Sequence, residues 1–383
     1  MTIQRPPRRI AFFRHTLLPP SETFIADQAA YLQRYRPVFF GRERGTGRFA
    51  LPEVHVMGRG GRDRFVRRFL YTLTGKCAGL LAEMEKTGPA LVHGHFGVDS
   101  LYALSFARAL GVPLITSFYG FDATRSRRSL LLGGKISHVR YALGMKRLIA
   151  EGARFIAITS FIKSQLVKRG FPEDRITVHP LGVDPERFTP AGKRDDGRTL
   201  ITVGRLVPFK GTEYLIRAAA KAREAVPDLR VVIIGDGPLR TELQDLVTEL
   251  GVEDNVEFLG VVSPERVSQE MRSASVFCFP SVTERDGHRE GQGVALLEAN
   301  ATGLPLIGSR SGGIPDVIRD GENGFLVEER DIAGLADRMI RLLRDRELRD
   351  RIGAAGRRTV LERFDVRKLA ARLEEIYDAV LER

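Results

Sequence analysis

Short apolar runs recur along the chain, each closed by a polar or glycine-containing loop and followed by a stretch with helical spacing. In the first half they fall at residues 10–13, 91–97, 114–122 and 155–159, the middle two including their loops. In the second half they fall at 199–203, 231–234, 256–260 and 276–279. Runs that are apolar throughout predict strands covered on both faces, and strands alternating with helices predict parallel sheets. Helical spacing is read over residues 25–32, 161–169 with Ser160 as cap, 212–225, 239–250 and 294–301. It returns after Asp331 in three segments that end at Arg344, Phe364 and Arg383. The charged, unpatterned stretch 192–197 separates the two series. The predicted class is therefore α/β, with a first domain over 1–184, a linker over 185–198, a second domain over 199–364 and a terminal helical segment over 365–383.

The second domain carries the densest chemistry. After the strand at 276–279, Gly287, Gly291 and Gly293 allow tight turning and close approach of the backbone to a ligand. From Val294 the chain resumes helical spacing with good helix formers. This order aims the amides of Gly291, Gln292, Gly293, Val294 and Ala295, and the positive end of a helix dipole, at the loop, which suits a phosphate or diphosphate. Glu290 precedes the helix and Glu298 lies inside it, so the helical rise sets them roughly 12 Å apart at most. That is too far for a hydrolase-type carboxylate pair. It suits one ligand with a polar group at each end, such as a nucleotide sugar, with Glu290 on the sugar hydroxyls and Glu298 on the ribose. Taken alone, the pair fits two solvated surface glutamates at least as well. Arg205 and Lys210 follow the strand at 199–203 in a glycine-containing loop, where Arg can grip a diphosphate bidentately and Lys can act as a point charge.

In the first domain each strand should deliver its loop to one sheet edge, where open α/β sheets bind ligands. The first loop holds Ser21, Glu22 and Thr23, with Ser21 fitting as a helix cap. The next two hold His95, and then Tyr119, Gly120 and Asp122. Each residue taken singly also fits a purely structural role.

Glu290-Gly291-Gln292-Gly293 with Glu298-Ala299, then Gly303-Leu304-Pro305 and Gly312-Gly313-Ile314-Pro315-Asp316, resemble the signature of family 4 retaining glycosyltransferases. The resemblance spans essentially the whole chain, most closely over 200–330 and most loosely over 40–90. It implies a GT-B fold: two facing Rossmann-like domains with a deep interdomain cleft, the sugar nucleotide held mainly by the second, and a terminal helix returning to the first. It also implies Arg205 and Lys210 as a diphosphate clamp, backbone near Val261 against the base, and Glu290 orienting the sugar. No cofactor and no catalytic metal are implied, and the chain has no Asp-x-Asp triplet of the kind that holds a divalent cation on a diphosphate. Where many members carry a Gly-Gly pair, this chain has PPSETFIADQ, similar to exopolysaccharide glycosyltransferases of the colanic acid type; this puts Ser21, Glu22, Thr23 and His95 on the acceptor side. Tyr119-Gly120 replaces the usual His-Gly, whose histidine contacts the sugar 6-hydroxyl. A tyrosine can bond that hydroxyl but does not titrate near neutral pH. Glu290, Tyr119 and Asp122 are the expected catalytic positions.

The implied reaction moves a hexosyl unit from a UDP- or GDP-sugar to a glycan or lipid-linked glycan in exopolysaccharide or lipopolysaccharide assembly, with retention through front-side attack. Two other classes stay open. A nucleotide-sugar 2-epimerase-like isomerase would form product without acceptor, and a non-catalytic sugar-nucleotide-binding protein would show no donor hydrolysis.

Length and composition narrow the setting. At 383 residues and 43% apolar content the chain supports two or three domains with sizeable cores. Cys77 and Cys278 give no disulfide framework, which points to a reducing compartment. The first residues are too polar for a signal-peptide core and no run reaches the ~18 apolar residues of a spanning helix. The expected location is cytoplasmic, with any membrane contact peripheral. The net charge of +12 is unevenly placed: residues 125–147 hold seven Lys or Arg and no acid, and residues 59–68 hold five Arg against one Asp. A basic first half suits an anionic partner, inner-leaflet lipid headgroups or a lipid diphosphate, and also a plain solvated basic face; nucleic acid fits less well, because no interleaved aromatics or binding motif accompany the clusters.

Overall fold

The structure is a computed structural model that describes residues 6–17, 19, 22–46, 53–57, 64–190 and 197–382. Ser21, residues 59–63 and the linker residues 191–196 lie outside the described residues. The chain divides into two compact units, residues 1–181 with 366–383, and residues 182–365.

The first unit is built on a parallel sheet of β1 (Arg8–Phe13), β2 (Tyr35–Gly41), β3 (Val54–Val56), β4 (Val92–His95), β5 (Leu114–Phe118), β6 (Arg154–Ala157) and β7 (Ile176–Val178). The order across it is β3-β2-β1-β4-β5-β6-β7. Ile10, Phe12, Ile115 and Ile156 pack on one face against Leu373, Tyr377 and Val380 of the terminal helix Val366–Leu381. That helix is also fixed by polar contacts to buried groups. Glu374, 3% exposed, accepts from the amides of Gln33 at 2.6 Å and Arg34 at 2.7 Å and from Arg34 Nε at 3.1 Å. His93 lies 2.8 Å from Tyr377 Oη through Nδ1 and 2.8 Å from Ser117 Oγ through Nε2. His179 Nε2 donates to the Leu369 carbonyl at 2.9 Å. Burial drives the His93 pKa down to about 3 and that of His179 to about 4, so both are neutral.

The second unit has β8 (Thr199–Val203), β9 (Arg230–Ile234), β10 (Val256–Gly260), β11 (Val276–Phe279), β12 (Leu306–Ser309) and β13 (Gly324–Val327), ordered β10-β9-β8-β11-β12-β13. The side-chain period of two sends Leu200, Val276 and Cys278 to a layer with Leu215 and Met339, and Ile201, Phe277 and Phe279 to a layer with Leu296 and Leu297. Both faces are therefore covered, as apolar runs without alternation require. In each sheet the order reverses beside the first strand, between β1 and β4 and between β8 and β11. At such a switch point neighbouring loops part and leave a crevice.

Some boundaries differ from expectation. The helix read over 161–169 is Ser160–Lys168, and its cap is Thr159, whose hydroxyl accepts from the Ile162 amide at 3.1 Å. β6 ends at Ala157, so the extended cap position falls one residue earlier than Ser160. The helix after β8 is Thr212–Ala222 rather than 212–225, and residues 223–225 continue it as turn, with the Val226 amide bonded to the Ala222 carbonyl at 3.0 Å. The first loop's helix is Thr23–Ala30 with Glu22 at the N-cap and no side-chain cap bond.

The neutral histidines set an acid limit. Because their folded-state pKa values lie below the ordinary value of about 6.5, the unfolded chain binds protons that the native chain does not. Their stabilisation is complete above about pH 6.5 and is lost as pH falls toward 3 to 4. The denaturant midpoint should fall across that window, and fall less in His93→Leu/His179→Leu; equal slopes would contradict the assignment. Separately, Glu374→Ala strands two amides and should cost about 2–3 kcal/mol in a denaturant titration.

Candidate active site at the second switch point

Loops after β8 and β11 flank the reversal in the second sheet, and each contributes one charge to a single contact. Lys210 ends the short turn Pro208–Lys210 and donates through Nζ to Glu290 Oε2 at 2.6 Å. Their side chains are only 17% and 12% exposed, so neither is an ordinary surface charge. The ammonium also lies 4.5 Å from the ring centroid of Phe279 and 5.1 Å from that of Phe209, within cation–π range. Phe209 in turn packs against His288, centroids 4.3 Å apart.

Two glycines make the approach of these loops possible. Gly211, at φ 67°, follows Lys210, and a Cβ there would stand 1.9 Å from the Pro280 carbonyl oxygen. Gly312, at φ 55°, would place a Cβ 2.1 Å from the Glu290 carbonyl oxygen, which accepts from the Gly313 amide at 3.0 Å. The Gly-Gly turn after β12 thus fixes the backbone of Glu290.

Beyond Glu290 the chain enters the helix Val294–Ala301 through Gly293 in left-handed geometry, with no side chain capping the helix start. Gly291, Gln292 and Gly293 are buried, Glu298 is half-buried one turn inside the helix, and Val261 is 77% exposed after β10. Arg205 is exposed, and its guanidinium has no partner among the described residues. An unpaired guanidinium, a fixed ammonium and an uncapped helix start all favour negative charge.

The first unit brings its expected residues into two other groupings. Across the β1/β4 switch point, Arg14 binds Glu22 bidentately at 2.9 and 2.7 Å and also donates to Asp99. Asp99 accepts from the His15 amide at 2.8 Å, and His15 Nε2 meets Tyr71 Oη at 3.0 Å. The Arg14 guanidinium and the bonds from His15 hold Asp99 well below the usual carboxylate range despite burial. Thr23, half-buried, opens the helix beside Glu22. Nearby, Tyr119 Oη lies 2.7 Å from His95 Nδ1, and the His95 ring stacks on His93 with centroids 4.4 Å apart. His95 is fully buried, and burial pushes the Tyr119 phenol far above its ordinary value, so it remains a neutral hydroxyl. Asp122 is fully buried too. It accepts from the amides of Gly97 at 2.8 Å, Gly120 at 3.0 Å and Tyr119 at 3.3 Å, contacts that hold the loop.

Phe209, Phe279 and His288 were not expected here. Phe279 reads in sequence only as the end of a core strand; its ring is seen to serve Lys210 once both loops are placed.

A parallel α/β sheet repeated in two units, with its charge at the switch points, defines a protein of the GT-B fold class. Residues 21–187 match the family described as Glycosyltransferase Family 4, and residues 183–359 match Glycosyl transferases group 1. The chain belongs to glycosyltransferase family 4. It is 31% identical over 292 residues to the Salmonella typhimurium protein named as colanic acid biosynthesis glycosyltransferase WcaL, covering 75% of this chain and 70% of that one. It is 33% identical over 242 residues to the GDP-mannose-dependent alpha-(1-6)-phosphatidylinositol monomannoside mannosyltransferase of Mycolicibacterium smegmatis; the match takes in 60% of this chain and spans 63% of that protein's length. Anabaena HepE, crystallised with UDP and glucose, shares the fold with a TM-score of 0.77 at 19% identity, over 97% of this chain and all of that one.

Gly312→Ala should cost about 2–3 kcal/mol, since the methyl group meets a carbonyl as well as the left-handed strain. Gly251→Ala, at φ 61° with nothing within 4 Å of the added carbon, should cost only about 1–2 kcal/mol. Equal losses in paired denaturant titrations would mean that the Glu290 backbone is not pinned at Gly312.

Proposed function

We propose that this chain transfers a hexosyl unit from a UDP- or GDP-sugar to a hydroxyl of a glycan or lipid-linked glycan, with retention, in the assembly of a cell-surface polysaccharide. The observation that carries this is the Lys210–Glu290 contact beside an uncapped helix start, with the Arg205 guanidinium left over. In this proposal the donor diphosphate lies on the amides of residues 291–294, takes Arg205 bidentately, and uses one of the two ammonium donors that Lys210 has left. Glu290 then accepts from the sugar hydroxyls and Glu298 from the ribose, while the base lies by the backbone at Val261.

The acceptor oxygen attacks the anomeric carbon on the face from which the diphosphate leaves. The carbon–oxygen bond to phosphate breaks, and the acceptor proton passes to the departing phosphate oxygen. Charge stabilisation on that leaving group is the largest catalytic contribution. On the acceptor side, Tyr119 supplies a neutral hydroxyl, His95 orients it, Glu22 and Thr23 border it, and Asp122 holds the loop. The names of the Salmonella and Mycolicibacterium relatives support an exopolysaccharide or lipid-linked acceptor and, for the second, a GDP-sugar donor. The basic first unit fits peripheral contact with an anionic inner-leaflet surface from the cytoplasmic side.

Thermal melting with UDP and GDP separates the parts, because binding stabilises the native state by mass action. One of the two should raise the wild-type melting temperature, Lys210→Ala should lose that shift, and Glu290→Ala should keep it yet lose transfer. Transfer by Glu290→Ala at the wild-type rate, or an undiminished shift in Lys210→Ala, would remove the residue concerned from the site.

A further inference from the structure

Of the ten large apolar side chains exposed among the described residues, seven fall between residues 66 and 143, all in the first unit. Four share the helix Arg64–Thr74: Val66, Phe69, Leu70 and Leu73 are 54%, 46%, 50% and 44% exposed. Their spacing of three, four and seven is that of a stripe that normally faces a core. Here Tyr71 on the other side is buried, and the stripe faces water. Arg140, from the helix Ile136–Glu151, donates to the carbonyls of Leu73 and, at 2.9 Å, Thr74. Leu143, 65% exposed and three residues on from Arg140, extends the apolar surface from that neighbouring helix. Leu132, 72% exposed, stands in the helix Arg127–Leu132 packed beside it.

Cations interleave with this surface. Arg127, Arg128, Lys135 and Lys146 are exposed, and residues 125–147 contain no acid. An outward apolar stripe set among cations is complementary to a bilayer interface: the apolar groups enter the acyl boundary and the cations meet lipid phosphates. Among the described residues no helix is long and apolar enough to cross a membrane, so such contact would be interfacial.

We propose that the outward face of Arg64–Thr74, with Leu132 and Leu143, is the surface by which the chain docks on an anionic lipid bilayer. This rests on the peripheral contact proposed above and gives it residues. It also favours a lipid-linked acceptor over a free glycan. On its inner side the docking helix hands Tyr71 Oη to His15, and His15 shares Asp99 with the Arg14 that grips Glu22. The membrane-facing helix thus lies directly behind an acceptor-side residue.

The test is sedimentation of the full chain with vesicles of phosphatidylcholine alone and of phosphatidylcholine mixed with phosphatidylglycerol. The wild type should bind only the mixed vesicles, less strongly as salt rises, and Leu70→Gln/Leu143→Gln and Arg127→Glu/Arg128→Glu should each weaken binding at least about tenfold. Both variants should keep the wild-type melting temperature and its nucleotide shift, which read folding and donor binding separately from docking. Failure of the wild type to bind mixed vesicles, or wild-type binding by either variant, overturns the proposal. So does self-association that ignores vesicles and is abolished by Leu70→Gln/Leu143→Gln, which would make the face a contact between copies. Vesicle binding with no nucleotide shift would leave docking standing and count against the transferase reading alone.

Discussion

An ammonium held between a carboxylate and two aromatic faces is the constraint on which the second unit depends. Lys210 and Glu290 come from loops on opposite sides of the β8/β11 switch point, and their contact fixes how far apart those loops stand. Glycine is required wherever the loops touch backbone to backbone: Gly211 against Pro280, and Gly312 against Glu290 itself. The first unit solves the same geometric problem at β1/β4 with Arg14 between Glu22 and Asp99. Each sheet therefore has its switch point spanned by an ion pair.

The two ion pairs differ in what they leave over. Around Arg14 two carboxylates answer one guanidinium, and the cluster is satisfied internally. Around Lys210 one carboxylate answers one ammonium, while Arg205 and the start of Val294–Ala301 add positive potential with no answering acid shown. A group of low exposure with positive potential to spare binds anions more strongly than the same charges would in water, because the local dielectric is lower. This asymmetry is why we propose the second unit as the donor side. Glu290 itself is held at both ends, its carboxylate by Lys210 and its backbone by Gly313, which fits the orienting role proposed for it.

Much of this was legible along the chain where structure is local. Thr199–Val203, Val256–Gly260, Val276–Phe279 and Val294–Ala301 have the bounds that apolar runs and helix formers give them. The strand Tyr35–Gly41 escaped because Arg36 and Pro37 interrupt its apolar run, and Val54–Val56 is a half-buried edge of three residues. Arg64–Thr74 escaped although its apolar residues 66, 69, 70 and 73 have helical spacing, because Arg64, Arg67 and Arg68 make the segment read first as a basic cluster. The aromatic seat of Lys210 was illegible because Phe209 and Phe279 are seventy positions apart and meet only through the sheet. Residues whose contacts are set by tertiary packing, such as Glu22 and Asp122, show their partners only in the folded chain.

We propose that a sugar-nucleotide diphosphate binds between Lys210, Arg205 and the start of the helix Val294–Ala301, with its sugar on Glu290. The most direct measurement is a crystal structure of the chain soaked with UDP- or GDP-sugar. Diphosphate oxygens should lie within hydrogen-bond reach of Lys210 Nζ, the Arg205 guanidinium and the amides of residues 291–294, with a sugar hydroxyl on the Glu290 carboxylate. A donor bound elsewhere, or one whose diphosphate leaves the Lys210–Glu290 contact and the helix start untouched, would contradict it.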